Sequence, residues 1–189
     1  MTVFKLEPER AAENDVSNVL DELQDKLGFI PNIYTTFASV PVAFEGLTSL
    51  NASFANSSFT PAEQEIIALT TSVFNRCPYC VAGHSTFALQ HGVDADTIDA
   101  IRDGGDSSEP RYQSLGRTTH ALLKNKGHLT PAETATFLNG GFQLPQLLEL
   151  LLGIAGKTMT NFASKIAQVP LDKAFLDQEW TPRKHQAWP

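Results

Sequence analysis

The chain has 189 residues, enough for one well-buried domain, and nothing in its composition asks for two. Its net charge is -7 and its basic residues are scattered, the longest cluster being Arg183-Lys184, so no nucleic-acid partner is expected. Met1 to Asp15 is polar and charged without an apolar core, and the most apolar stretch, Leu144 to Ala155, falls well short of the ~20 residues that span a bilayer. A cytoplasmic protein with no membrane partner is the expectation.

Asn14 to Leu27 places Val16, Val19, Leu20, Leu23 and Leu27 at helical spacing, with Gly28 as the stop. After the turn Phe29-Ile30-Pro31-Asn32, Ile33 to Ser39 and Val42 to Phe54 read as two helices parted by Pro41. Thr60-Pro61-Ala62-Glu63 is a capping-box start with proline in the first turn, and Ile66, Ile67, Leu69, Val73 and Phe74 give the following helix its buried side. The next helix starts at Cys77-Pro78 and runs to about Gln90, with His91-Gly92 as its stop. Asp94 caps a short helix that ends at Gly104-Gly105.

Arg111 to Lys126 is a further helix, Thr130-Pro131-Ala132-Glu133 repeats the earlier start signal before a short helix that stops at Gly140-Gly141, and Leu144 to Ala167 is the longest helix. No stretch alternates as a strand does, so the fold class is all-α, a single domain over residues 1–189 with an extended or irregular tail from about Leu171. Glu65-Ile66-Ile67-Ala68-Leu69 is echoed weakly by Gln146-Leu147-Leu148-Glu149-Leu150, which suggests two related helical units packed on each other.

The chemistry concentrates in Asn75 to His84, which holds the only two cysteines, Cys77 and Cys80. Thiols two residues apart can close a disulfide or bind a soft metal. Pro78 suits the first helical position, which makes Cys77 the N-cap and sets both sulfurs near backbone N–H groups that favour a thiolate. His84 follows Cys80 by four residues, so imidazole and sulfur share a helix face and can exchange a proton directly or through a water. Glu65 lies twelve residues before Cys77 on the preceding helix; alone it would read as a solvated carboxylate. His91, His120, His128 and His185 have no partner fixed by sequence and read as structural or solvated.

Glu65, eleven residues, Cys77-Pro78-Tyr79-Cys80, three residues and His84 together resemble the active-site pattern of the alkyl hydroperoxidase D-like branch of the carboxymuconolactone decarboxylase family. The resemblance extends to Leu27-Gly28-Phe29-Ile30-Pro31-Asn32 upstream and to Asn161 and Val169-Pro170-Leu171-Asp172 downstream. It implies an all-helical fold assembled as a homotrimer or homohexamer, and a cofactor-free, cysteine-dependent peroxidase with an antioxidant role. By the same resemblance Cys80 is the peroxidatic thiol, Cys77 resolves, Glu65 is the base acting through a water, and His84 relays the proton. The substrate would be a peroxide and the reductant an unidentified dithiol or protein. The sequence departs from the pattern at Tyr79, where such peroxidases can carry a second histidine; a phenol with a pKa near 10 can donate a hydrogen bond but is no base near neutral pH.

Three other readings compete. A lyase of the decarboxylase branch would share the fold but needs no thiols. A metal site is disfavoured, because the motif lacks the second pair of close-spaced ligands typical of structural zinc. A non-enzymatic redox-sensing oligomer would share the peroxidase's first chemical step.

Overall fold

The structure is a computed structural model and describes residues 14–182. The readings made on residues 1–13, on Arg183-Lys184 and on His185 lie outside the described residues. Among the described residues there is no strand. The helices are α1 (Asn14–Leu27), α2 (Asn32–Ala38), α3 (Pro41–Ala55), α4 (Pro61–Phe74), α5 (Pro78–Gln90), α6 (Ala95–Arg102), α7 (Pro110–Lys124), α8 (Pro131–Asn139) and α9 (Gln146–Ala167).

Proline sits in the first turn of α3, α4, α5, α7 and α8, where its missing N–H is not needed and its fixed φ fits the helix. Thr60 and Thr130 each accept the N–H of the glutamate three residues on, and that glutamate accepts the threonine's own N–H, completing two capping boxes. Asp94 and Glu109 cap α6 and α7 through their side chains as well. The helix ends differ slightly from the sequence reading. α7 stops at Lys124 because Lys126 and Gly127 both turn left-handed (φ 53° and 89°), and α9 starts at Gln146, after Pro145.

α4 is the central helix and packs against α5, α7 and α9. Ile66, Ile67 and Leu69 are wholly buried, and so are Thr70, Thr71 and Ser72, so α4 has no solvent face in its middle. The hydroxyls of Thr71 and Ser72 donate back to the Ile67 and Ala68 carbonyls, which makes their burial tolerable. The two helices of the sequence echo, α4 and α9, pack on each other. α9 lies close to its neighbours at Gly153, where a Cβ would come within 2.6 Å of the Phe54 ring and 3.0 Å of Ile67.

Two apolar clusters divide the interior. One holds Ile66, Ile67, Leu69, Leu115, Phe137 and Leu150; the other holds Ile33, Phe37, Phe44, Leu47, Phe175 and both cysteines. The expectation of an irregular tail from Leu171 is corrected at Lys173–Gln178, a 3-10 helix whose Phe175 is 2% exposed. Phe175 meets Phe29, Tyr79 and Phe87 edge-on at 5.5 to 6.0 Å, and Gly83 of α5 leaves room for its ring. A single anchoring aromatic in one short turn leaves no periodicity to read, which is why the sequence pattern passed over it.

Candidate functional site

α4 and α5 are joined by a tight reversal at Asn75-Arg76-Cys77. Arg76 adopts the left-handed conformation (φ 53°) and the Cys77 N–H donates to the Ser72 carbonyl at 3.0 Å. That closure sets Cys77 as the N-cap of α5, as the Cys77-Pro78 pair predicts, and its Sγ accepts the Cys80 N–H at 3.4 Å. Both cysteines are free and buried, with sulfurs 2.7 Å apart. The neighbouring Cys80 thiol, its N–H, Ser164 and the charge of Lys165 bring Cys77 down to about 7 against the opposing effect of burial. Burial, and then the adjacent Cys77, push Cys80 up, while Asn161 and Lys157 act the other way.

A cavity of about 310 Å³ opens beside this pair. Cys80 lines it and Cys77 does not. Its apolar wall comes from Leu23 and Leu27 of α1, Ile33 of α2, Phe54 of α3, Phe87 of α5 and Phe175 of the 3-10 helix. Its polar end holds Glu65 of α4, His84 of α5 and Lys157 of α9.

These three side chains form a string. Glu65 Oε2 lies 2.7 Å from His84 Nδ1, and both side chains are largely buried (15% and 14% exposed), so Glu65 is not the solvated carboxylate it would be in isolation. A carboxylate only accepts, which places a proton on Nδ1 and leaves Nε2 as the acceptor of the neutral ring. Burial, followed by the charge of Lys157, lowers the pKa of His84 despite the opposing carboxylate, so the ring is neutral near pH 7. Lys157 Nζ then donates to Nε2 at 3.1 Å. Both ring nitrogens of His84 are thus engaged, one by Glu65 and one by Lys157, a partnership the helix-face argument for direct exchange with Cys80 did not include.

Tyr79 also lines the cavity, but its hydroxyl is bonded outside this string. Its hydroxyl donates to Asp172 Oδ2 at 2.6 Å and accepts the Ile33 N–H at 3.2 Å; burial, then Asp172, push its pKa up. Asp172 also accepts the Asn32 N–H at 3.2 Å. At this position the chain has a tie between the motif, the first turn of α2 and the C-terminal segment. Behind the cysteines, the fully buried Asn161 donates to Ser72 Oγ and accepts from Asn75, and Lys165 Nζ donates to the Asn75 carbonyl.

The structure brings Glu65, Cys80 and His84 to one cavity and sets Cys77 directly behind Cys80. Sequence reasoning missed Lys157, although it is the one charged residue between Leu150 and Ser164, a signal of function or pairing on an otherwise apolar helix. It also missed Phe175 and Asp172 as parts of the site. Of the histidines read as structural or solvated, His91 lies on the cavity wall. His120 packs edge-on against Phe74 with its pKa lowered to about 4, by burial and then Lys124. Among the described residues no three His, Cys, Asp or Glu side chains gather as a metal-binding group. No helix there is long and apolar enough to cross a membrane.

Residues 41–107, from α3 to just past α6, match the model of the carboxymuconolactone decarboxylase family. No curated protein matches the sequence. The alkylhydroperoxidase AhpD core of an uncharacterized peroxidase-related protein from Ralstonia eutropha JMP134 superposes with a TM-score of 0.81 at 22% identity, covering 97% of each chain. An uncharacterized peroxidase-related protein from Silicibacter sp. TM1040 gives 0.80 at 17% identity over 94% of this chain and 95% of the other. The apo debrominase Bmp8 gives 0.72 at 17% identity over 89% of this chain and 92% of its own. At such identities these are likenesses of fold. The family match thus spans the segment that holds Glu65, both cysteines and His84, and the chain as a whole has an all-helical fold similar to that of the alkylhydroperoxidase AhpD core.

Proposed function

We propose that the chain is a cysteine-dependent peroxidase-type oxidoreductase that turns over through a Cys77-Cys80 disulfide. The observation that carries this reading is the pair of free thiols 2.7 Å apart, one of them on the wall of a cavity with a Glu65-His84 pair at its polar end. The Cys80 thiolate attacks one oxygen of a peroxide, an S–O bond forms as the O–O bond breaks, and an alcohol or water leaves after taking up a proton. Cys77 then attacks the Cys80 sulfenic acid, expelling water and closing the disulfide, and an external dithiol or protein reductant restores both thiols.

Acidity and access point to different cysteines. Cys77 is the more acidic thiol, but it is fully buried and off the cavity, whereas Cys80 is the sulfur a substrate can reach. Access decides the nucleophile, because a thiolate with no path to the peroxide cannot react, and the acidity of Cys77 suits the resolving attack, which needs its anion. Peroxide consumption by the wild type and by each single cysteine variant, with a small dithiol as reductant, tests the reading. Turnover by the wild type alone supports it, and undiminished turnover by Cys80→Ser refutes it.

A second reading is favoured by the largely apolar, aromatic-walled cavity. Among the structural relatives, a C82A variant of the debrominase Bmp8 is in complex with 2,3,4-tribromopyrrole (TM-score 0.70, 16% identity, 89% of this chain and 91% of that one). The same dithiol could take a halogen from such a ring: sulfur captures bromine, the ring carbon takes a proton, and Cys77 displaces bromide to form the disulfide. Bromide release from tribromopyrrole by the reduced protein, without peroxide consumption, would select this reaction.

A further inference from the structure

Resting on the thiol-oxidoreductase reading above, we propose that Lys157 is the group that takes the Cys80 thiol proton and returns it to the leaving oxygen, with Glu65 and His84 acting as residues that position it. His84 is the expected relay, yet its Nδ1 is committed to Glu65 and its Nε2 lone pair to Lys157 Nζ at 3.1 Å, so the imidazole has no free nitrogen for the thiol. Lys157 is the end of the string, lines the same cavity as Cys80, and can spare a site: an amine that donates one N–H to Nε2 keeps its lone pair.

α9 carries this side chain to the cavity that Cys80 lines. Lys157, Asn161 and Ser164 fall on one face, and the same face supplies the contacts of Asn161 and Ser164 to the two cysteines. The titratable groups that face Lys157 are Glu65 on α4 and Cys77, Cys80 and His84 on α5, with Tyr34 of α2 and His91 just past α5 along the cavity wall. Burial lowers the pKa of Lys157 against the pull of Glu65 and the two cysteines, which makes the amine form more accessible near neutral pH.

The proton then balances over one half-reaction. The Cys80 thiol gives its proton to the Lys157 amine, leaving thiolate and ammonium. The thiolate attacks the peroxide, the S–O bond forms as the O–O bond breaks, and the leaving alkoxide takes the proton from the ammonium. Sulfur is oxidised by two electrons, the peroxide is reduced to an alcohol, and Lys157 returns to the amine.

The test compares wild type, Lys157→Met and Lys157→Arg in two single-turnover reactions of the reduced protein from pH 6 to 10. One reaction uses tert-butyl hydroperoxide; the other uses iodoacetamide, with alkylation at Cys80 read by peptide mass. Iodoacetamide needs the thiolate but its leaving iodide needs no proton. Lys157→Met is expected to lose on the order of 100-fold against the peroxide at pH 7 and to move its alkylation profile to higher pH. Lys157→Arg keeps a cation that cannot deprotonate, so its alkylation profile should lie at or below that of the wild type while its peroxide rate stays low. Wild-type behaviour of Lys157→Met in both reactions overturns the proposal, and so does a wild-type peroxide rate in Lys157→Arg, which would reduce the lysine to a fixed charge. A wild type that takes iodoacetamide at Cys80 but ignores the peroxide refutes the peroxidase reading instead. The alkylation profile then decides alone: an upward shift in Lys157→Met supports its tie to the Cys80 proton, and no shift removes it.

Discussion

Glu65 and His84 illustrate how a side chain acquires a role only from its neighbours. An exposed glutamate near a helix start is unremarkable, but at 2.7 Å from a largely buried imidazole it fixes the tautomer and orients the ring toward Lys157. Glu65→Gln and His84→Gln should each slow the peroxide reaction on the order of ten- to a hundred-fold near pH 7, with the fold intact by circular dichroism. The deficit should shrink as pH rises, because above its own pKa the thiol ionises without help, and a pH-rate profile from pH 6 to 10 reads this. Tyr79→Phe isolates a different task. It removes the donor to Asp172 and the acceptor for the Ile33 N–H, and should cost about 1 to 3 kcal/mol in urea unfolding while leaving the chemistry of Cys80 in place.

Helices in this chain were legible wherever their signal was local. The proline-led starts, the two Thr-Pro-Ala-Glu boxes and the Cys77 cap all depend on residues within one turn of each other, and the structure has them where the sequence puts them. What was hidden is non-local. Lys157 meets His84 across 73 positions and Asp172 meets Tyr79 across 93, separations that no periodicity reports. The 3-10 helix at Lys173–Gln178 was hidden for the same reason, since its one buried side chain is explained only by the rings of Phe29, Tyr79 and Phe87. Packing between helices sets a further condition that the sequence states without explaining. Gly153 sits where any Cβ would press into Phe54 and Ile67, so Gly153→Ala should destabilise by about 1 to 3 kcal/mol through overpacking, despite alanine's better helix propensity, as thermal unfolding would show.

For the molecule as a whole, the outer face of α9 is unusually apolar. Leu148 (71% exposed), Leu151, Phe162 and Ile166 (69% exposed) share that face, and its opposite side closes on the cysteines. An apolar stripe of this length on a 22-residue helix suits a helix-packed contact between copies, in line with the trimer or hexamer that the family resemblance implies. Light scattering should give three or six times 20.6 kDa, and Leu148→Glu combined with Ile166→Glu should lower that mass; a wild type at 20.6 kDa would refute the assembly. Because the same helix carries Lys157, Asn161 and Ser164 inward, a loosened interface should also slow the thiol chemistry.

The complete proposed cycle requires Cys77 and Cys80 to form one redox unit within a single chain. Intact-mass spectrometry of the fully reduced protein after one equivalent of peroxide tests this most directly. The expected result is the loss of two hydrogens per chain, both thiols blocked to alkylation, and a Cys77-Cys80 disulfide in the peptide map. Two thiols still free to alkylation, or bridges only between chains, would contradict it.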